Sequence, residues 1–302
     1  MSTLHTWLRT IAPAQADRLT RALGTLTPWP AHGPAPERVE PGVAATEFSL
    51  RLRDGVVASG RLAHTLDADV LKVADLRAAL LSVDPDIQED CLSPVLQAIA
   101  ANPLLDVLVG FADDKLGSPR TKIYLLQPGT QALSGFVQLA QALGQRLQIP
   151  AALTSKSIAT MGQAPGFLAV DLRPHALATL KLYFLFRDTD TCRTALGRCG
   201  QPELIAQLDA LPADICAHPV GAYVLSVRLG GETWLDTTLH AHIGHSQTPA
   251  AHILPPALAS ALQDVEQKAQ ETLGLTAHTT YVSFLSGPSI ATSVYYVLGT
   301  AS

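Results

Sequence analysis

The sequence predicts an α+β fold, a closed ten-stranded antiparallel β-barrel of five αββα repeats surrounded by a ring of α-helices. One observation is a recurring apolar strand with a lysine two places before a tyrosine, at residues 121–126 and 180–186. A second is that strand-like runs come in pairs around turns, with helical stretches between most pairs. Sequential hairpins leave exposed edges unless the sheet closes, and the helices then bury their apolar sides against its outer surface.

Weaker copies of this strand extend the repeat along the chain, at residues 60–66, 237–244 and 292–299. The matching positions fall at intervals that shorten from 61 to 55 residues. They are Arg61, Lys122, Lys181, Thr238 and Ser293. Near-even self-similarity indicates one repeated supersecondary unit, so we expect a single domain over 1–302. The repeats are expected near 43–66, 104–127, 166–187, 220–244 and 278–299.

The first half of the chain is predicted from its start as follows. Apolar residues recur at helical spacing over 4–27. A hairpin turns at the Asp-Gly pair 54–55, a sequence that favours a tight turn. Residues 67–101 show a helical pattern, a second hairpin turns near 115–119, and 131–147 is again helical.

The second half repeats this order. A third strand pair covers 166–188, and a weaker helical stretch follows over 190–212. The fourth hairpin turns at 230–231, a helix is predicted at 255–275, and a fifth strand pair occupies 278–299. A parallel eight-stranded barrel with alternating helices is the rival architecture, but it predicts single strands between helices where this chain has pairs.

Bulk composition excludes some classes of protein. The chain has 302 residues, is 47% hydrophobic and carries a net charge of −5. This balance argues against a general binder of nucleic acid or anionic membranes, although a local basic cavity is compatible with it. No run of about 18 apolar residues predicts a membrane span, and the amphipathic start lacks the apolar run of a signal peptide. We therefore expect a cytoplasmic protein.

The four cysteines do not form a recognisable site. They show no Cys-x-x-Cys pair, which is typical of neither a zinc site nor a disulfide framework. The prediction is free, buried thiols in a reducing compartment. These residues are Cys91, Cys192, Cys199 and Cys216.

The lysine–tyrosine strands carry the first indication of function. Side chains two apart on a strand share a face, so Lys122 lies beside Tyr124, and Lys181 beside Tyr183. A lysine on the inner face of a barrel wastes core volume unless a cavity there holds an anion. The alternative is a lysine that extends along apolar surface to reach water.

Order and period together resemble the soluble aromatic prenyltransferases, most of all the dimethylallyltryptophan-synthase branch. The resemblance covers about 43–299. Its motifs are Glu47-Phe48-Ser49 in the first hairpin, Lys122-Ile123-Tyr124 and Lys181-Leu182-Tyr183 in the second and third, and Tyr295 in the last strand. The resemblance implies the fold of five αββα units called ABBA, or the PT barrel.

The chain departs from this family at named positions. The third unit of that branch often has Arg-x-Lys-x-Tyr, and here Thr179 stands at the arginine position, while the second unit has the full motif from Arg120. The lysine that several members carry on the first strand of the second unit is absent from 108–110. Thr238 and His240 stand where the family has Gln or Lys and Tyr.

The resemblance implies transfer of a dimethylallyl or geranyl group from its diphosphate to an electron-rich aromatic, in the first place an indole. Fixed cations that meet the departing diphosphate lower the barrier to ionisation, and aromatic faces shield the cation without trapping it. The chain has no Asp-rich motif, so no metal is expected to be required, with Mg²⁺ only as a stimulant. The diphosphate-binding residues expected are Arg61, Arg120, Lys122, Tyr124, Lys181, Tyr183, His240, Tyr281 and Tyr295.

Glu47 is the expected catalytic residue on the acceptor side. In the family the matching glutamate binds the indole N–H, and Ser49 and Arg228 are further candidates for contacts with substrate. Alternatively, Glu47 is an exposed residue that pairs with Arg51 or Arg53. The histidines at 240 and 242 share a face, but without carboxylates at ligand spacing they indicate a metal site only weakly.

Three functions stay open on the sequence. The first is the prenyltransferase, with an allylic diphosphate and a small aromatic acceptor as its partners, no nucleic acid or membrane partner, and a monomeric state. The second is a non-catalytic barrel that carries a hydrophobic or phosphorylated ligand. The third is another isoprenoid-diphosphate enzyme, such as a cyclase, which needs no aromatic acceptor.

Overall fold

The computed structural model describes most of the chain, with gaps. The described residues are 9, 13, 15–26, 46–53, 56–66, 72–113, 119–126, 133–174, 176–212, 223–242, 250–254, 256–273, 276–285 and 291–299. Apart from residues 9 and 13, the predicted helix start before residue 15 lies outside them, as do the turns at 54–55 and 115–118 and Cys216.

Helices and strands alternate as the sequence pattern indicates. In the described ranges the helices are α1 (Ala16–Leu26), α2 (Val73–Val83), α3 (Glu89–Ala101), α4 (Leu133–Arg146), α5 (Ala151–Met161), α6 (Thr189–Arg198), α7 (Pro202–Asp209), α8 (Ala250–Ile253) and α9 (Pro256–Leu273). The strands are β1 (Thr46–Arg53), β2 (Val56–Leu66), β3 (Asp106–Asp113), β4 (Pro119–Leu126), β5 (Phe167–Arg173), β6 (Ala176–Phe186), β7 (Tyr223–Gly230), β8 (Thr233–His242), β9 (Thr276–Leu285) and β10 (Ala291–Gly299).

The strands form one curled antiparallel sheet. Each pairs with its neighbours in sequence, and β1 also pairs with β10, from Glu47↔Val297 to Arg53↔Ala291, so the ladder returns to its first strand. The predicted turn between β7 and β8 is tight, and Gly231 adopts φ 55° there, a conformation that costs glycine least. An α+β fold of antiparallel hairpins separated by helices is confirmed.

The two faces of the sheet bury different side chains. On β4, Ile123 and Leu125 are fully buried in the large apolar cluster shared with the helices. Lys122 and Tyr124 alternate with them and point to the inner face, because successive strand residues face opposite ways. A small separate cluster on this inner face contains Tyr124, Tyr183 and Ala63. The inner face of the sheet is called the lumen below.

Several helical regions differ from the sequence prediction: the stretch 190–212 resolves into α6 and α7, and α8 was not predicted. The pattern over 67–101 resolves into α2 and α3, because Pro85 disfavours helical backbone at the residue before it. Helix α5 was not predicted, since its Ala-, Ser- and Thr-rich sequence gives a weak apolar period. It ends at Gly162, whose φ of 74° is a left-handed cap.

A buried ion pair fastens α1 to the sheet. The Arg18 guanidinium donates to both carboxylate oxygens of Asp84, at 2.8 and 2.6 Å, and to the carbonyl oxygen of Ala112 at 2.7 Å. The Thr121 hydroxyl also donates to Asp84, and Arg18 lies 5.7 Å from the centre of the Phe111 ring. This set is called the helix-side cluster below.

The three cysteines in the described residues are free thiols. Cys91 and Cys192 are buried free thiols, as expected, whereas Cys199 is only partly buried. Burial raises the pKa of Cys199 to about 11. Across the part of the chain that the structure describes, no helix is long and apolar enough to cross a membrane.

Candidate active site

The lumen brings together the positions that repeat along the sequence. The strand register places Lys122 of β4 beside Asp171 of β5, and Lys181 of β6 beside Arg228 of β7. One step along the strands, Tyr124, Tyr183 and His240 form a second layer. Ring centres lie 6.0 Å apart for the two tyrosines and 5.9 Å apart for Tyr183 and His240.

Asp171 is the centre of a charged group that we call the lumen cluster, Arg120–Asp171–Lys122. The Asp171 carboxylate is fully buried, it accepts from Arg120, and its Oδ1 lies 3.1 Å from the Lys122 ammonium. Burial acts to raise the pKa of Asp171, but the charges of Arg120 and Lys122 outweigh it and hold the pKa below its usual value. Asp171 is therefore ionised.

The Lys122 side chain is also buried, with 4% of the residue exposed. Burial lowers its pKa well below the ordinary 10.5, Asp171 opposes this, and the positive charges of Arg120, Arg61 and Lys181 reinforce it. The ammonium lies 5.4 Å from the centre of the Tyr124 ring. Lys122 thus sits between a carboxylate, an aromatic face and several cations.

Lys181 differs from Lys122 in its partners. Among the described residues its ammonium makes no hydrogen bond or ion pair, and it lies 5.4 Å from the centre of the Tyr183 ring. Burial lowers its pKa to about 8, while Asp236 and Asp171 oppose the shift. Lys181 is therefore a cation that a bound anion can stabilise.

The aromatic layer is well packed. Tyr124 and Tyr183 are 8% and 4% exposed, and Phe167 stacks on Tyr183 with ring centres 4.2 Å apart. Phe167 was not singled out from the sequence, since a phenylalanine in a strand is ordinary core. The layer presents ring faces beside the lysines, where they stabilise positive charge.

His240 lies on the lumen face, where register places it in the position of a tyrosine. Its Nε2 is 3.0 Å from the Ser226 hydroxyl and its Nδ1 is 2.5 Å from the Ser283 hydroxyl. Burial lowers its pKa well below 6.5, and Lys181 and Lys122 add to the effect. His240 is therefore neutral, and contributes hydrogen bonding rather than charge.

Two further cations, Arg228 and Arg61, also lie on the lumen-facing register. Arg228 forms an ion pair with Asp236 on the adjacent strand. Arg61 is half-buried on β2, and its charge acts on both Lys122 and His240. Ser49 is 3% exposed and pairs in register with Arg61 and Tyr295.

Three predicted residues are placed by their backbone alone. Glu47 pairs with Ala63 on β2, so it lies on the lumen-facing register of β1. Tyr281 pairs with both His242 and Tyr295, which puts these two tyrosines on adjacent strands. The side chains of Glu47, Tyr281 and Tyr295 lie outside what the structure describes.

Sequence reasoning missed the carboxylates. Asp171 and Asp236 lie on strands β5 and β8, beside the cations that the repeat identified. A signal was present, because an aspartate inside the apolar stretch 166–174 is as costly to bury as the lysines are. The repeated positions all lie on the second strand of each hairpin, so the repeat did not identify Asp171 on a first strand, and Asp236 lies on a second strand but just before the repeated residues 237–244.

The structure also accounts for the exchange of Arg and Thr noted in the sequence. Thr179, on β6, donates to Asp171 Oδ2 over 3.4 Å, and Arg120, on β4, donates to the same carboxylate. The two residues flank β5 from opposite sides. The guanidinium therefore enters the lumen from β4, two strands before the position of Thr179 on β6, with Asp171 on β5 between them.

A surface groove is the competing site. It lies between α3 and α4, has a volume of about 380 Å³ and is lined by residues such as Leu139, Leu143 and Arg146. The Arg146 guanidinium is already bonded to Gln97 at 2.8 Å. None of the side chains singled out from the sequence lines it, so the lumen is the stronger candidate.

Solved structures of the same shape are known. The chain matches 6-dimethylallyltryptophan synthase from Micromonospora olivasterospora, solved with DMASPP and Trp, with a TM-score of 0.70 and 17% identity over 97% of this chain and 95% of that one. It matches NotF, solved with brevianamide F and DMSPP, with a TM-score of 0.66 and 17% identity over 99% and 93%.

A third similar structure is the prenyltransferase PriB with L-tryptophan and dimethylallyl thiolodiphosphate, with a TM-score of 0.64 and 17% identity over 97% and 94% of the two chains. No protein-family model and no curated protein matches the sequence. The structural likeness at this identity establishes the fold. The chain therefore has the ABBA fold of the dimethylallyltryptophan synthases and related aromatic prenyltransferases.

Proposed function

We propose that this protein is an aromatic prenyltransferase of the cytoplasm. It moves a dimethylallyl or geranyl group from the allylic diphosphate to an electron-rich aromatic acceptor, in the first place an indole or tryptophan derivative. The reaction is a Friedel–Crafts alkylation: the C–O bond of the donor breaks, a C–C bond to the ring forms, and diphosphate and the proton of the alkylated ring carbon are released. The observation that carries the proposal is the lumen layer in which Lys122 and Lys181 each lie 5.4 Å from a tyrosine ring.

The cations serve the first step. When the bond between the allylic carbon and the diphosphate oxygen breaks, negative charge grows on the diphosphate. Lys122, Lys181 and Arg61 meet that charge in a site from which bulk water is largely excluded, where fixed charges act more strongly than in water. Arg120, Tyr281, Tyr295 and the neutral His240 are the further proposed contacts to the diphosphate.

The aromatic layer serves the intermediate. The allylic cation is flanked by the ring faces of Tyr124 and Tyr183, which stabilise positive charge and are poor nucleophiles. Water in the same place would capture the cation as an alcohol. The packed layer therefore protects the intermediate until the acceptor attacks.

Glu47 is proposed to act on the acceptor, with Ser49 and Arg228 as further contacts to it. A carboxylate that accepts the indole N–H raises the electron density of the ring as a C–C bond forms to the cation. The position of Glu47 on the lumen-facing register of β1 supports this role. A non-catalytic carrier has no use for an acid opposite a cationic layer.

The architecture completes the proposal. A closed ten-stranded barrel forms a single domain over 1–302, its lumen is the reaction chamber, and a monomer is sufficient. Neither a metal nor another cofactor is required, because the lysines and arginines take the part that a metal has in other diphosphate enzymes. Mg²⁺ is at most a stimulant.

The proposal is tested by mass spectrometry. The purified protein is incubated with dimethylallyl or geranyl diphosphate and a panel of indoles and phenols, with EDTA present. A mass gain of one prenyl unit on an aromatic is expected. No product with or without Mg²⁺, together with measurable diphosphate binding by calorimetry, would instead support the carrier, and prenyl products without an acceptor would support a cyclase.

A further inference from the structure

An aspartate in an anion-binding site needs an explanation. Asp171 is fully buried and ionised, and it faces the same lumen that the proposed function assigns to a diphosphate. By Coulomb's law alone, a fixed negative charge there weakens the binding of another anion. A residue that only filled space would be less costly to bury than a charged one.

The contacts of Asp171 indicate what it does. It accepts from Arg120 on β4, its Oδ1 lies 3.1 Å from the Lys122 ammonium, and Thr179 donates to Oδ2 at 3.4 Å. Two cations two residues apart on one strand are thus held on one carboxylate. Without that carboxylate their charges repel each other, and the lysine is the one that can release its proton.

We propose that Asp171 is a positioning residue of the donor site: it keeps Lys122 charged and fixes Arg120 in the lumen until the diphosphate arrives as their second partner. This inference rests on the proposed function, because it assumes that the lumen binds diphosphate. It explains why a carboxylate lies among the cations of an anion-binding site. The carboxylate holds the cations ready, and the ligand then shares them.

The surroundings of Lys122 support this assignment. The groups that act on it are Asp171 from β5, Arg120 from its own strand, Arg61 from β2, Lys181 from β6, the Tyr124 ring, and the neutral His240 from β8. Among these described groups, Asp171 is the one carboxylate. Burial and the three cations all favour the neutral amine, so removal of Asp171 leaves Lys122 without the charge that opposes them.

The test is calorimetry with inorganic diphosphate on the wild type and on Asp171→Asn. We expect the affinity of the variant, relative to the wild type, to fall as pH rises, by up to about tenfold per pH unit over the range in which Lys122 is charged in the wild type and neutral in the variant, because one proton must then be taken up on Lys122. Each comparison is made in one buffer, so that protonation of the ligand itself cancels. A purely repulsive role for Asp171 predicts the opposite, namely tighter binding at every pH.

A second variant links the effect to Lys122. In Asp171→Asn with Lys122→Arg, the new side chain cannot lose its proton, so the ratio of affinities should become independent of pH. If Asp171→Asn does not fold, Lys122→Arg alone serves as the test: because Asp171 keeps Lys122 charged in the wild type, the two proteins should show the same pH profile of diphosphate affinity. A wild type that loses affinity as pH rises where Lys122→Arg retains it would in that case overturn the inference.

Asp84→Asn is the matched control, since Asp84 is also a buried aspartate paired with an arginine. It should lower thermal stability and leave the pH dependence of diphosphate binding unchanged. The outcomes separate the two proposals. A wild type that binds no diphosphate refutes the proposed function, whereas a wild type that binds, with an affinity ratio for Asp171→Asn that is flat in pH, refutes only this inference.

Discussion

A buried arginine–aspartate cluster lies against each face of strand β4, and the two clusters differ in their balance of positive and negative charge. In the helix-side cluster one guanidinium meets one carboxylate through two bonds, and Thr121 and a carbonyl take up further bonding capacity. In the lumen cluster Asp171 is shared by Arg120 and Lys122. Among the described side chains that face the lumen, cations outnumber carboxylates.

The difference separates stability from binding. A balanced and fully bonded pair has nothing to offer a ligand, so the helix-side cluster holds α1 in place. An excess of positive charge in a buried site is costly for the protein alone and is relieved by an anion. The lumen cluster therefore has the character of a site that is complete only when occupied.

The largest expected effect concerns the helix-side cluster. Arg18→Met should lower the free energy of unfolding by about 3–5 kcal/mol, because it leaves the buried Asp84 carboxylate without its charge partner. Chemical denaturation measures this. Turnover per folded molecule should not change.

A double variant sharpens this prediction. Arg18→Met combined with Asp84→Leu removes both charges, so it should be less destabilising than Arg18→Met alone. Equal stability of the wild type and Arg18→Met would show that the helix-side cluster does not stabilise the packing of α1 on the sheet.

The next effect concerns turnover. Lys181→Met should reduce kcat for prenyl transfer by roughly 10²–10³-fold, the usual loss when one fixed charge that stabilises a developing anion is removed. Stability should be retained, since among the described residues Lys181 has no ion-pair partner to abandon. Product formation and thermal melting are measured together, with the exposed Lys156→Met as the matched control.

A smaller effect is expected in the aromatic layer. Tyr183→Leu should lower turnover by roughly thirtyfold, because a ring face near a desolvated cation contributes about 2 kcal/mol. Tyr183→Phe keeps the face and should lose much less. If both variants lost the same activity, the hydroxyl rather than the ring would be the functional group.

The smallest effect is a pH dependence. Lys181 has a pKa near 8 in the folded protein, against an ordinary 10.5. kcat/KM for the donor should fall as pH rises through about 8, because it reports the charge state of the free enzyme. Stability should move the other way, since the unfolded chain binds more protons between the two pKa values and unfolding becomes harder as pH rises. Activity and denaturation profiles that decline together above that pH would contradict the assignment to Lys181.

Much of the fold could be read from the sequence because strand pairing here is local. The ten strands in the described residues correspond to the five predicted hairpins, with β9 beginning two residues before its predicted range, and Tyr124 and Tyr183 face the lumen as alternation requires. Helix α5 escaped prediction, since tertiary packing rather than an apolar period holds its Ala- and Ser-rich turns. Local pattern is sufficient where both the partner and the face follow from the spacing.

The site was predictable only in part, because many of its contacts join different hairpins. The repeat identified Lys122, Lys181 and His240, but neither Asp171 between two cations nor the two serines on His240. Partners on different hairpins meet through strand register and the curvature of the sheet. These depend on the whole sheet rather than on any one segment.

The sequence by itself determined the hairpin repeat, the inner and outer faces of each strand, and the cations and tyrosines that recur on the inner face. The tertiary structure decided which charges meet, because ion pairs depend on distances of a few ångströms between strands that are far apart in the chain. It placed Asp84 in the helix-side cluster and made Asp171 the partner of two lumen cations. Composition treats these two aspartates alike, and their surroundings make one a source of stability and the other part of a candidate binding site.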